Sequence, residues 1–149
     1  MRAATQAELQ CGLLGFIEVC VVGERKERFI GFSRSAKGLK KWVAQLDHFQ
    51  NYLDINHSHQ ISLSATGKDL IEHYGLVAQS EVLVLSTLRG MQGVVLPLPQ
   101  AIEETYGMGN GAILCSLNPI FSFWFYFGEE AHAQYVFMKQ LPAIRKKPQ

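Results

Sequence analysis

The sequence is poor in charged residues. Only 18% of its 149 residues are charged, whereas 48% are hydrophobic, and ordinary soluble domains carry about 25% charged residues. This shortage suggests that a partner covers part of the surface. The formal net charge of +1 gives no broad electrostatic case for binding nucleic acid. That class is the weakest hypothesis, and it rests on a few basic residues: Lys37, Lys40, Lys41 and Arg145 to Lys147.

Long apolar runs and a cysteine framework are also missing. The longest apolar stretches are far below the ~20 residues that span a bilayer, and residues 1–8 lack the apolar segment of a signal peptide. Cys11, Cys20 and Cys115 are odd in number and irregularly spaced, and each falls in a segment predicted to be a strand. We therefore expect free thiols without a structural disulfide, a cytoplasmic location and no membrane partner.

Recognised catalytic motifs are absent as well. The chain has no Gly-x-Ser-x-Gly elbow and no Cys-x-x-Cys pair. The glycines at 107, 109 and 111 follow a predicted helix and precede a predicted strand, which reverses the order of a phosphate-binding loop. The adjacent glutamates at 103–104 and 129–130 suit helix starts better than a catalytic dyad, because adjacent helical positions diverge.

Histidines offer the one metal hypothesis. His57-x-His59 could place two imidazoles on one side of an extended segment, with His48, His73, Asp54 or Glu72 completing a site. The spacing matches no named zinc pattern, and histidines of a solvated loop are the simpler explanation. We predict no metal and no cofactor, and whether the chain catalyses a reaction stays open.

The dominant feature that is present is the aromatic segment 119–128. Successive side chains of a strand point to opposite faces. One face therefore carries phenylalanines alone, at positions 121, 123, 125 and 127, and the other carries Ile120, Ser122, Trp124 and Tyr126. We predict a central strand of an antiparallel sheet, with the phenylalanine face in the core. The second face must meet a helix, a ligand or another subunit.

The remaining patterns predict an α+β fold. Further strands are predicted at 13–22, 28–32, 60–64, 81–88, 94–98 and 112–117, and the first two of these would form a hairpin. Helices are predicted as a short entry over 3–10, from Ser33 or Ser35 to about Ile55, from Thr66 to Gly75, from Pro99 to Tyr106, and over 129–141. We expect a single domain over 1–149, mainly an antiparallel sheet built from hairpins with helices packed on it. The basic tail 143–149 is expected to be solvated and frayed.

Two functions fit these expectations. The first is a binding or interaction module, homodimeric, that uses the aromatic sheet surface. The alternative is a small-molecule-binding domain or enzyme with a pocket between sheet and helices. Glu18 stands out because it is the only charge in its predicted strand, where a carboxylate needs a partner, solvent or a cavity. The candidate ligand-binding or interface residues are Trp124, Tyr126, Ser122, Arg89, Glu18 and His73.

Overall fold

The computed structural model describes residues 1–62 and 65–138. Within these ranges the strands are β1 (Arg2–Ala3), β2 (His59–Gln60), β3 (Glu81–Ser86), β4 (Gln92–Pro97), β5 (Ala112–Ser116), β6 (Phe123–Phe127) and β7 (Gln134–Met138). The α-helices are α1 (Gln6–Cys20), α2 (Lys26–Phe32), α3 (Ala36–Ala44), α4 (Gly67–His73) and α5 (Leu98–Thr105). Single 3-10 turns lie at Gly23–Arg25, Phe49–Asn51 and Ile55–His57.

The strands form one seven-stranded sheet in the order β1-β4-β3-β5-β6-β7-β2. Every neighbouring pair is antiparallel, which confirms the sheet type expected from the sequence. The aromatic strand β6 is interior, and Trp124 lies opposite Cys115 of β5 and Phe137 of β7. Both edge strands, β1 and β2, are only two residues long, so little unpaired backbone is offered for pairing with another chain.

Helices cover both faces of the sheet. Trp124 and Tyr126 belong to the hydrophobic core beneath α1, α2 and α3. The phenylalanines of β6 belong to a second core beneath α4 and α5. The domain therefore has three layers, helices, sheet and helices, and the α+β fold class with helices packed on the sheet is confirmed. None of the helices in the described ranges is long and apolar enough to cross a membrane.

The first predicted hairpin is wrong. Residues 13–20 lie in α1, which begins at a capping box in which Thr5 and Glu8 bond each other's backbone N–H. Residues 28–32 lie in α2. The buried positions of α1, from Leu13 to Cys20, recur at helical spacing, but apolar residues on its other sides imitate a strand. Two of the three cysteines, at 11 and 20, are therefore helical and not in strands. All three are free thiols.

Two other helix predictions also need correction. The helix that begins after Ser35 has the expected cap, with Gly38 N–H donating to Ser35 Oγ at 3.0 Å, but it ends at Ala44 and not near Ile55. Within the described residues, the helix predicted over 129–141 is instead a turn followed by β7, and residues 139–141 lie outside the described ranges. The alternation of β7, with Tyr135 and Phe137 in the first core and Val136 and Met138 in the second, requires a strand.

The middle of the chain follows the prediction closely. The β3–β4 hairpin and α5 form within about two residues of the expected limits. The aromatic strand begins only at Phe123, so residues 119–122 of the predicted segment form the connection before it, and Ile120 is exposed there. Thr66 and Asp69 form the predicted capping box of α4, and Gly75 takes a positive φ of 64° just after that helix. The strand predicted at 60–64 is the short edge strand β2 within the described residues. The basic tail 143–149 lies outside them.

Candidate functional site

Three of the six candidate residues line one cavity. Glu18 of α1 meets Ser122 and Trp124 around a space of about 300 Å³ between α1 and the β5–β6 connection. We call this space the α1 cavity. Its other lining residues are Cys11, Gly12, Gly15, Ser116, Leu117, Asn118 and Pro119. Sequence reasoning missed Gly15 because it placed that residue in a strand over 13–22, and it missed Cys11 and Gly12 because no helix was predicted to continue through them. The Thr5-x-x-Glu8 pattern of a capping box was available as a signal for the longer helix.

The other three candidate residues lie elsewhere. Tyr126 is fully buried, and its hydroxyl donates to the backbone oxygen of Leu46 at 3.0 Å. Arg89 is exposed in the turn between β3 and β4. His73 is exposed in the last turn of α4, on the opposite face of the sheet, with its ring edge-on to Tyr74. The structure thus places none of these three in the α1 cavity.

Two glycines seat α1 closely on the sheet. A Cβ added to Gly12 would lie 2.9 Å from Cδ2 of Leu83, and one added to Gly15 would lie 3.3 Å from Cζ2 of Trp124. Carbon atoms attract best at about 3.5–4.0 Å, so a side chain at Gly12 would push α1 outward. The glycines therefore let the indole of Trp124 fit beneath the helix.

Trp124 brings an unused hydrogen-bond donor to the α1 cavity. The residue is 5% exposed, and Nε1 lies 3.6 Å from where a Cβ on Gly15 would be. Within residues 1–62 and 65–138, no acceptor bonds this N–H. Among the described residues, the fully enclosed side-chain atoms without a partner belong to Trp42, Asp47 and Gln134, so the Trp124 N–H is open to the cavity that this residue lines. The donor is therefore available to water or to a bound molecule with an acceptor at this position.

The connection between β5 and β6 is ordered by its own hydrogen bonds. Asn118 Oδ1 accepts from the backbone N–H groups of Ile120 and Phe121, at 2.9 and 3.3 Å. Ser116 Oγ donates to the Phe121 oxygen at 3.1 Å and accepts from Asn118 N–H at 3.1 Å. The hydroxyl of Ser122, in contrast, has no partner among the described residues. Ser122 and Trp124 are therefore the donors available to a ligand.

Glu18 is the only charged side chain in this lining. Its carboxylate forms no ion pair or hydrogen bond with any part of the chain that the structure describes. The nearby Lys26 ammonium donates instead to the backbone oxygen of Glu18, at 2.8 Å. At the other end of the cavity, the exposed thiol of Cys11 lies about two helical turns from Glu18, or ~10 Å along the helix axis.

A larger groove lies on the opposite face, between α4 and α5. Its volume is about 740 Å³, and Ile71, Pro99 and Ile102 contribute apolar walls. Tyr106 also lines it, but its hydroxyl already donates to the Ser62 oxygen at 2.6 Å. The remaining polar groups are exposed charges at the rim, so the groove offers area without a buried polar group that would orient a ligand.

A small polar pocket of about 90 Å³ surrounds Asp47. One Asp47 carboxylate oxygen is buried and has no hydrogen-bond partner among the described residues. Burial raises the pKa of Asp47 because it disfavours the charged carboxylate, and the neighbouring Glu129 carboxylate raises it further through repulsion between like charges. Asp47 and Glu129 are far apart in the sequence, and no motif indicates that they meet.

In the part of the chain that it describes, the structure does not bring the histidines together as ligands of one metal ion. His57 Nδ1 lies 2.9 Å from the Asp54 carboxylate, while His59 is in β2 beside the ring of Tyr74. In the described residues, no group of three or more His, Cys, Asp or Glu could hold a metal ion.

No protein-family model, curated protein or solved structure matches this chain. The case for a function therefore comes from the cavities and their chemistry.

Proposed function

We propose that the chain is a small-molecule-binding domain and that its ligand occupies the α1 cavity. One observation carries this proposal: Trp124 is only 5% exposed, yet its indole N–H lies beside Gly15 at the cavity lining and has no acceptor in the described residues. A ligand oxygen or ring nitrogen would supply the missing partner. The ordered β5–β6 connection supports a preformed site, as is usual for ligand pockets.

The α1 cavity is favoured over the larger groove because of its polar groups. Ligand pockets commonly measure about 300–1,000 Å³ and combine apolar walls with a few placed polar groups. Both spaces meet the size criterion, at about 300 and 740 Å³. The unused donors of Ser122 and Trp124 belong to the smaller one, and they can fix the orientation of a ligand.

Binding without catalysis is the simpler proposal for this cavity. A catalytic nucleophile needs an activating base within hydrogen-bond reach. Cys11 is an exposed thiol in the body of α1, and neither it nor Ser122 bonds a base in the described part of the chain.

Self-association remains a second proposal, but it is now supported by different observations. Helices cover Trp124 and Tyr126, so the aromatic face no longer motivates a homodimer. The low charge content and the exposed side chains of Leu14 and Ile120, the latter 93% exposed, still support association through another surface. Light scattering behind size exclusion tests this, and a mass near one chain at tens of micromolar protein would reject it.

The free thiols similarly support the proposed cytoplasmic location.

Proton–nitrogen NMR of the two indole groups tests the ligand site. The probe is benzamide, which has a flat ring and a carbonyl acceptor, and Trp124→Phe assigns the two signals. We expect benzamide to shift the Trp124 N–H signal and to leave that of Trp42 unchanged. Trp42 is a matched internal control because its N–H is also unpartnered among the described residues but lies in the core. Shifts confined to α4 and α5 would assign binding to the groove and reject the proposal.

A further inference from the structure

The charge around the α1 cavity limits which ligands it can accept. The lining contains one carboxylate, that of Glu18, and no lysine, arginine or histidine. Lys26, whose ammonium bonds the Glu18 backbone oxygen at 2.8 Å, lines the neighbouring space and not this one. An anionic ligand in the α1 cavity would therefore meet a carboxylate in the lining and no cation there. Like charges placed together disfavour binding, and opposite charges favour it. Phosphates and carboxylates are therefore poor candidates.

The hydrogen-bond donors of the cavity and its one carboxylate acceptor come from different elements. Trp124 Nε1 contacts α1 at Gly15, and Glu18 follows three residues later on the same helix. This spacing corresponds to ~4.5 Å along the helix axis. The cavity thus has the donors of Trp124 and Ser122 and, about one turn along α1, the unpaired acceptor of Glu18. Leu117, Pro119 and the indole add apolar surface to the same lining.

We infer that the α1 cavity selects a small planar ligand with a hydrogen-bond acceptor at one end and an amine cation at the other. The inference rests on the proposed function of the same cavity. The acceptor bonds Trp124 and Ser122, the flat body lies between α1 and the β5–β6 connection, and the ammonium group pairs with Glu18. The selection is electrostatic, so it weakens as salt screens the exposed carboxylate.

Three matched probes test the inference: para-(aminomethyl)benzamide, para-methylbenzamide and para-carbamoylbenzoate. They share the ring and the amide and differ in charge at the far end. Affinities are measured from the shift of the Trp124 indole N–H in the full chain. Because Glu18 is exposed, we expect the amine to bind roughly two- to fivefold more tightly than the neutral probe. The anion should bind most weakly.

Two glutamate variants separate specific pairing from net charge. Glu18→Gln should remove the preference for the amine while keeping affinity for the neutral probe. Glu27→Gln, on α2 and outside the cavity lining, changes net charge equally and should keep the preference. Equal affinities for the amine and neutral probes, or a preference that survives Glu18→Gln, would overturn the inference and leave the ligand site standing. If no probe shifts Trp124, the proposed function fails with it.

Discussion

Gly38 gives the sharpest test of how α2 and α3 pack. A Cβ added to Gly38 would meet the backbone oxygen of Phe32 and lie 2.8 Å from its Cα. The obstruction is backbone and cannot rotate away, so one of the helices must move. Alanine in a helix interior normally gains ~0.5–1 kcal/mol over glycine, while overpacking costs about 1–3 kcal/mol. We expect Gly38→Ala to lower the free energy of unfolding by about 1–2 kcal/mol as the balance of these terms.

Gly31→Ala is the matched control for this substitution. Gly31 is in α2, and nothing lies within 4 Å of a Cβ added there. This variant should gain ~0.5–1 kcal/mol because only the helix-propensity effect applies. Urea unfolding of the wild type and both variants, at equal m values, measures the two changes. If Gly38→Ala is as stable as the wild type while Gly31→Ala shows its gain, the close approach of α3 to the end of α2 is wrong.

Three substitutions and one titration test other parts of the structure. Leu46→Ala should cost roughly 2–5 kcal/mol, because Leu46 is fully buried although α3 ends before it; a loss below about 0.5 kcal/mol would place it outside the core. Thr66→Ala should cost ~1 kcal/mol through loss of the α4 capping box, and an unchanged denaturant midpoint would contradict that role. Asp47→Asn should raise the melting temperature at neutral pH, since a raised pKa means that folding disfavours the Asp47 carboxylate. This gain should shrink as pH falls through the raised pKa toward the ordinary value of 3.8, and a gain independent of pH would exclude the charge explanation. Thiol titration of the unreduced, denatured protein should find three free groups, and finding one would show a disulfide.

Local signals predicted the elements that local chemistry determines. The capping box at Thr66, the β3–β4 hairpin and the aromatic strand β6 all follow from residue types at fixed offsets. The alternation in β6 also placed Trp124 and Tyr126 together on one face, where the structure has them. What covers that face depends on a distant part of the chain, so sequence pattern alone left a helix, a ligand and a subunit as alternatives.

The errors occur where an element is apolar on more than one side. Helix α1 buries Leu13 and Phe16 but also exposes Leu14, so its helical period is weak. Strand β7 is buried on both faces, so its sequence does not alternate between apolar and polar residues. A short run of this kind cannot be told from a buried helix by its hydrophobic period. The first residues of an element were a clearer signal than its apolar pattern: the Thr5-x-x-Glu8 capping box marks the start of helix α1, despite the apolar residues that follow.

The candidate site was predictable only in part. Ser122 and Trp124 line the same cavity, and the alternation of the aromatic segment had put them on one face; whether they bind a ligand stays a prediction. Glu18 lines the same cavity, but the reason given for it was wrong, since it is an exposed helical residue and not a charge within a strand. Cys11 and Gly15 could be found only after α1 was known to be a helix, because their side of the chain is defined by helical spacing.

The position of the α1 cavity follows from the three-layer architecture. A sheet covered on both faces leaves openings mainly where strands end and connections depart from the layers. β5 ends at Ser116, and the connection to β6 carries Ile120 into solvent. Helix α1 crosses near this end on its glycines and holds the indole of Trp124 against the sheet. The helix, the connection and the strand each supply one wall, so the unused donor of Trp124 is a consequence of how the layers meet.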